Sequence, residues 1–388
     1  MTTSEEGHVA TTETAVHEDD GTEVENPLHR LTEEQIEAIG KEFDELHDQV
    51  KADLGERDSL YIRGIIDLQR RLALLGRLML IGSRFRPLWA GGTATLSMAK
   101  ILENMEIGHN VLHGQWDWMR DPKIHSSTWE WDHASPPDQW QRAHNDRHHV
   151  NTNVLGMDND LGYGIMRVDE AQEWTPRHLV QPLWNFINAC IFEYGIAMYD
   201  LDFGSALREG DGFTPQLKSE LRTTAQRAAR HAARDYVLHP LLSAPTGSAR
   251  TTLTANLVAN LVRNLWSHSV IMCGHFPEGV ETFEVSELDE RESRGQWYLR
   301  QMLGSADIAG PWVMHVLCGN LSHQIEHHLF PDLPSNRYRE LAGPVRELFE
   351  QHGLRYHSAP LIKQVASAWH KVLRLSLPPR GRRRAVAA

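Results

Sequence analysis

Apolar residues Ile36, Ile39, Phe43, Leu46 and Val50 return at three- and four-residue intervals. That spacing keeps one face of a helix apolar. Just upstream, "TEEQ" pairs Thr32 with Gln35 as a capping box, so a helix is predicted to begin there. Helical periodicity continues through "YIRGIIDLQRRLALLGRLML" and again from Leu88 to Gln115. The aromatic, polar stretch "GQWDWMRDPKIHSSTWEWDHASPPDQW" reads as loop with short helix, and Gln141–His149 returns to helix. Two longer apolar segments, 179–201 and 251–275, flank a polar helical stretch, Gln216–Tyr236. A helix over Gly310–Leu329 should stop at "FPDLPSNR", where Pro331 and Pro334 disfavour continuation, and another should span Ser335–Gln351. Strand-like alternation is scarce and no internal repeat is present, so the fold class is all-α.

Membrane spans are the awkward point. A span needs roughly 18 or more apolar residues with few charges. Leu179–Tyr199 is interrupted by Glu193, Leu253–Gly274 by Arg263, and the short Leu72–Gly82 by Arg77. Leu88–Ile107 carries Lys100, Glu103 and Glu106. With a mean hydropathy of −0.45, hydropathy alone gives a soluble or membrane-associated protein.

Charge is unevenly placed. Residues 1–50 hold fifteen acids and two bases, which accounts for the whole net charge of −13; the remainder balances 37 acids against 37 bases. The body therefore has no basic bias toward nucleic acid. Residues 1–29 read as a disordered acidic arm without an apolar secretory stretch. A basic tail, 376–388, ends in "RGRRRAVAA"; it reads as a solvated end, or in a functional reading as a contact for acidic lipid headgroups. Cys190, Cys273 and Cys318 lie far apart without zinc, iron–sulfur or redox spacing, as in a reducing cytosolic setting.

Histidine changes the picture. There are 23, and they cluster. "GHNVLHG" places His109 and His113 one helical turn apart. "HNDRHH" supplies His144, His148 and His149, and "HQIEHH" supplies His323, His327 and His328. One such pair arises easily by chance. Two copies of the same six-residue spacing plus the opening pair do not. In a helix, positions i and i+4 share a face and the adjacent residue is turned by about 100°, so each box can hold one metal and reach a second. Imidazole suits zinc, copper, iron and nickel; eight histidines exceed one zinc site, and a two-metal centre, with iron, fits best. Neither a Gly-x-Ser-x-Gly elbow nor a His-Glu-x-x-His zincin motif is present. A rival reading is a soluble di-iron bundle built on two Glu-x-x-His motifs, here Glu106/His109 and Glu130/His133. It leaves the other boxes idle.

"MEIGHNVLHGQWDWM", "HNDRHHVNTNVLGMDNDLGYG", "SVIMCGHFPEG" and "GNLSHQIEHHLFPDLPSNRY" resemble the histidine-box fatty acid desaturases, most closely their actinobacterial acyl-CoA Δ9 group. The resemblance covers residues 30–375, which form the desaturase domain. It implies a membrane desaturase-like bundle of about four spanning or embedded helices with a helical cytosolic cap over a di-iron site. It implies that His109, His113, His144, His148, His149, His323, His327 and His328 are the ligands. One more ligand is expected between boxes two and three: His275 in "CGHFP" is the candidate, with His268 as the alternative. The implied reaction desaturates a fatty acyl-CoA, consuming O2 and two external electrons. No dinucleotide, haem or iron–sulfur motif appears, so electrons are expected from NADPH through a separate reductase, by way of a ferredoxin-type donor. The expected location is the cell membrane, with metal site and termini on the cytoplasmic side.

Trp116, Trp118, Trp129 and Trp131 either line an acyl tunnel or simply pack. Asn320 is a candidate to orient a ligand, while His125, His133 and His315 read as structural. The charged Asp146–Arg147 pair within box two departs from the family pattern. The alternatives are a di-iron hydroxylase of the same class, a zinc hydrolase, and a non-enzymatic metal binder.

Overall fold

The computed structural model describes residues 31–158, 160–201, 214–288 and 291–379. The acidic arm 1–29 and residues 380–388 of the basic tail lie outside the described residues.

Helix α1 (Glu33–Ala52) begins at the predicted capping box: the Thr32 hydroxyl accepts from the Gln35 amide, and the Gln35 side chain accepts from the Thr32 amide. Helices α2 (Glu56–Ile81) and α3 (Arg86–Leu102) then pack face to face. Gly76 allows the approach, since a Cβ there would lie 3.1 Å from the Gly92 carbonyl oxygen. The predicted helix to Gln115 is present to Leu112, but over Glu103–His109 it widens to i→i+5 bonding. Helix α4 (Pro137–Ala143) runs into a second wide turn, His144–His148, where the His149 amide donates to the His144 carbonyl at 3.0 Å. Such turns recur at functional sites.

The apolar stretch 179–201 is two helices, α5 (Gln181–Cys190) and α6 (Phe192–Tyr199), because Ile191 leaves helical geometry (φ −120°, ψ 29°). The polar helix α7 (Pro215–Ala233) leads through a third wide turn toward α8 (Ala249–His275), the longest helix described. Leu80, Leu96, Ala255 and Ala259 form the seam of α2, α3 and α8.

The chain continues through α9 (Arg294–Leu303), α10 (Trp312–Leu317), α11 (Gln324–Leu329), α12 (Tyr338–Gln351) and α13 (Leu361–Ser376), with α10 against α3 and α13 against α5 and α8. The single helix expected over Gly310–Leu329 is broken. Gly319 (φ +71°) and Asn320 (φ +54°) adopt the left-handed conformation and end α10. Strands β1 (Asp307–Ala309) and β2 (Ser358–Pro360) form one short parallel pair. Phe43, Tyr298, Phe330, Tyr338 and Phe349 make the core joining α1 to α9, α11 and α12.

Among the described residues no helix is long and apolar enough to cross a membrane. Arg63, Asp67, Arg70 and Arg71 of α2 are exposed, but the charges that interrupt the apolar stretches are turned inward. Glu193 and Arg263, which interrupt the two apolar stretches, pair with each other and are 5% and 3% exposed. Lys100 and Arg77 both reach Asp235, at 2.8 and 2.9 Å. Meanwhile Leu74 and Leu78 of α2, Leu183 and Trp184 of α5, and Leu257 and Leu261 of α8 are exposed.

Candidate metal centre

Four chain segments deliver histidines to one buried place. His109 ends the wide turn after α3, and His113 closes the short helix that follows. His144, His148 and His149 sit on or beside the second wide turn, His327 and His328 on α11, and His275 is the last residue of α8. The rings pack edge to face or stacked: His109–His327 centroids are 5.2 Å apart, His113–His149 4.6 Å, His149–His328 4.3 Å and His148–His275 4.8 Å. Two donor sets result, His109/His113/His144/His327 and His148/His149/His328, each with ligand atoms within 4.8 Å of one another. His275 adjoins the second, 4.5 Å from the His328 ring. The wide turn puts His144 in the first set and His148 and His149 in the second, while His144 and His148 keep the predicted i, i+4 pairing, their rings stacked at 5.0 Å and grouped with Asp160.

Five of the outward nitrogens are tethered, while that of His149 is buried without a partner. His148 Nδ1 meets Asp158 at 2.9 Å, His144 Nδ1 meets Asp160 at 3.1 Å and His327 Nδ1 meets the Tyr338 hydroxyl at 3.2 Å. Likewise His328 Nδ1 meets Gln301 Oε1 at 3.1 Å, and His275 Nδ1 donates to the Gly304 carbonyl at 3.0 Å. Such partners fix tautomer and ring orientation and turn Nε2 toward the cluster; His275 Nε2 is already engaged, by Gln324. Nε2 of His144, His149 and His328 is buried without a partner. Buried polar atoms are normally satisfied, so three orphans in one cluster mark a place for something else. The His109 Nε2 atom lies 3.1 Å from that of His113 and 3.3 Å from that of His327. A metal–nitrogen bond of about 2.1 Å puts neighbouring ligand nitrogens roughly 3.0–3.4 Å apart. The donor set therefore fits a metal in type and spacing.

Burial, and then the neighbouring imidazoles, hold His113, His149, His327 and His328 well below the usual histidine range; burial and His148 do the same to His144. Neutral imidazole is the ligating form. For His148, burial opposes protonation, but Asp158 and Asp160 outweigh it and raise the group to about 9.

His323 stands apart. Helix α11 begins only at Gln324, and His323, at ψ 59°, is outside it, so the predicted shared face with His327 is not formed. Its ring stacks on His315 instead, at 4.7 Å. The residue at the cluster is Gln324, which sequence reasoning missed: its Nε2 donates to His275 Nε2 at 3.0 Å while its Oε1 is buried and unpartnered. Its position next to a box histidine was the available signal. Trp140 was also missed; it stacks on His144 at 4.4 Å and packs edge-on against His109. With Trp131, Phe192, Ile196 and Ile271 it lines a cavity of about 30 Å³ beside His109. Of the four tryptophans singled out, Trp131 lines this cavity, while Trp116 is buried against Tyr61.

The carboxylates of the rival reading are engaged elsewhere. Glu106 accepts from Tyr61, Ser335 and Asn320, and Glu130 pairs with Arg227 with its side chain 74% exposed. Asn320 thus orients Glu106 rather than a histidine. His268 meets Asn185 at 2.9 Å, and Asp146 and Arg147 are exposed.

Fold and site define a helical protein built around a buried double cluster of imidazoles. A family model described as fatty acid desaturase matches residues 87–360, and the chain belongs to that family of lipid-metabolising oxidoreductases. It is 47% identical over 351 residues to the NADPH-dependent stearoyl-CoA 9-desaturase of Mycobacterium tuberculosis, covering 90% of this chain and 82% of that protein. It is also 26% identical over 225 residues to an acyl-lipid (7-3)-desaturase of Diacronema lutheri, 58% of this chain and 49% of that one. The Delta(5) fatty acid desaturase A of Dictyostelium discoideum is 24% identical over 286 residues, 68% of this chain and 58% of that one.

Proposed function

We propose that this chain is an O2-dependent desaturase of saturated fatty acyl-CoA, forming a cis double bond at the Δ9 position. Two iron ions are held by His109, His113, His144 and His327 on one side and His148, His149, His328 and His275 on the other, with Gln324 against His275. The single observation carrying this reading is the convergence of eight imidazoles, five of them with one ring nitrogen tethered from outside the cluster. Bound iron supplies O2 activation and removal of hydrogen from an unactivated C–H bond. Two hydrogens leave the chain, and with two electrons and two protons O2 becomes two waters. The electrons come from NADPH through a separate reductase with a ferredoxin-type carrier; the relative named as NADPH-dependent supports this source.

The chain's own residues then position and protect. Asp158, Asp160, Tyr338 and Gln301 hold the imidazoles in one tautomer, so little reorganisation accompanies reaction. Trp131, Trp140 and Phe192 present an apolar wall beside His109 that keeps water from the acyl carbons. The exposed apolar residues of α2, α5 and α8, with charges paired inward, support embedding in the cell membrane; the cytoplasmic placement of the histidine cluster follows from the family resemblance alone.

The test is reconstitution with stearoyl-CoA, NADPH, a ferredoxin-type reductase system and iron, followed by mass analysis of the released acyl chains. A product lighter by two hydrogens, with the double bond at carbon 9, is expected. A product heavier by one oxygen would make the enzyme a hydroxylase. Turnover with zinc and without O2 would overturn the reading altogether.

A further inference from the structure

The turn that displaces His323 from the histidine cluster delivers it to a second buried group. Asp307 opens β1, where its amide donates to the His357 carbonyl at 2.8 Å, and its Oδ1 accepts from the Ile325 amide at 3.0 Å, tying the strand to the start of α11. Pairing of β1 with β2 brings Tyr356 alongside; its hydroxyl bonds both Asp307 and Glu326. His323 Nδ1 then lies 3.8 Å from Asp307 Oδ2 and 3.8 Å from Glu326 Oε2. These are too long for hydrogen bonds and suit ligands sharing a central ion.

Three features of this group are unexplained by packing. Both ring nitrogens of His323 are buried without a partner, and so is Glu326 Oε2. Glu326 is 0% exposed, Asp307 4% and His323 8%. Among the described residues no lysine or arginine nitrogen lies within 4.0 Å of either carboxylate, although two carboxylates buried together demand compensation.

We propose that Asp307, His323 and Glu326 form a separate site for one divalent cation of the Mn2+, Fe2+ or Zn2+ kind. One imidazole and two carboxylates are a mixed nitrogen–oxygen set suited to those ions rather than to soft, thiolate-seeking ones. The ion replaces the missing positive charge, occupies the unpartnered atoms and clamps β1 to α11, whose next residues are His327 and His328. This site does not depend on the reading of the histidine cluster.

The test uses the full chain in detergent, isolated without added metal and then incubated with Mn2+. Elemental analysis is expected to find one equivalent per chain beyond those of the histidine cluster. Glu326→Gln and His323→Gln each lose that equivalent and keep the rest, whereas His328→Gln keeps it. Crystals of the wild-type protein give an anomalous difference peak among the three side chains. A wild-type map with no peak there after Mn2+ incubation overturns the proposal, whether or not the variants fold; so does a variant that folds and retains the full metal count. Metal here with none in the histidine cluster would sustain this site and sink the cluster reading.

Discussion

Asp158→Asn tests whether the tethering of the cluster matters to metal binding. Asp158 is buried. Its Oδ1 accepts from the Asp160 amide at 2.8 Å, its Oδ2 from the Asn153 amide at 2.8 Å, and both oxygens face His148 Nδ1 at 2.9 and 3.0 Å. Asparagine keeps one acceptor and points an amide N–H2 at the other donors. Losing one such hydrogen bond to a charged group costs about 1.5–3 kcal/mol of stability. Losing the outer partner of a ligating histidine weakens metal binding roughly 10–100-fold, or about 1.4–2.8 kcal/mol. A second effect runs the other way. In the metal-free protein His148, raised to about 9, carries a proton that the metal must displace. With one proton released from a group at about 9, wild-type affinity should rise about 25-fold from pH 7 to pH 8.5. Removing the Asp158 charge lowers the His148 pKa, so the variant's affinity should rise less over that interval. The two curves are therefore closest at pH 7 and farthest apart at pH 8.5. Chelator competition with Co2+ under anaerobic conditions reads this directly, with circular dichroism confirming the fold. A wild-type affinity that is flat across the interval, or a folded variant that binds as tightly as wild type at pH 8.5, would refute the reasoning.

Arg263→Met leaves Glu193 buried without its guanidinium and should cost about 3–5 kcal/mol in thermal or denaturant unfolding, while the double variant Arg263→Met/Glu193→Leu should recover most of it; equal losses in both would contradict the pairing. Gly295→Ala would place a Cβ 1.9 Å from the Ile36 carbonyl oxygen where α9 crosses α1, a backbone clash expected to lower stability by about 1–3 kcal/mol or more, against little change for Ala at the open Gly64 apart from helix propensity. The Asp332 hydrogen bond raises His47, so that contribution is fully present below about pH 6.5 and fades as pH rises through the raised value. The melting-temperature deficit of Asp332→Asn should therefore shrink from pH 6 to pH 8.5, the changing part being about 0.2–1 kcal/mol. The part due to Lys51, 2.8 Å from Asp332, should persist; a deficit that grows with pH would reverse the assignment.

Local signals in the sequence survived folding where the physics was local. The capping box at Thr32 and the helical stripe of α1 depend on residues three or four apart, and both are present. The spacing of the boxes pointed to the right residues for a shared cluster, apart from one. His323 was misplaced because its position depends on whether the chain is helical there, and the left-handed pair Gly319–Asn320 resets the helix at Gln324. Gln324 went unnoticed for the same reason: only the true start of α11 aims it at His275. The wide turns at Glu103–His109 and His144–His148 likewise have no periodic signature, yet they decide which histidine joins which set.

Hydropathy, which found no clear span, agrees with the absence of a spanning helix among the described residues, but it misses where the charges go. A window scores each residue as though it faced its own surroundings alone. Glu193 and Arg263 lie 70 positions apart and Lys100 and Asp235 135, so each counts against its own segment. In the fold each neutralises the other inside the bundle, and the outer faces of α5, α8 and the C-terminal part of α2 from Leu74 on remain apolar. The quantity that governs contact with lipid is the polarity of the exposed face rather than of the segment. By that measure Leu74, Leu78, Leu183, Trp184, Leu257 and Leu261 say more than a mean hydropathy of −0.45. Inward pairing is then what lets such charged helices present apolar patches: without Arg263, Glu193 would be buried with only His231 beside it, whereas Asp235 on losing Lys100 would keep Arg77 and Arg234.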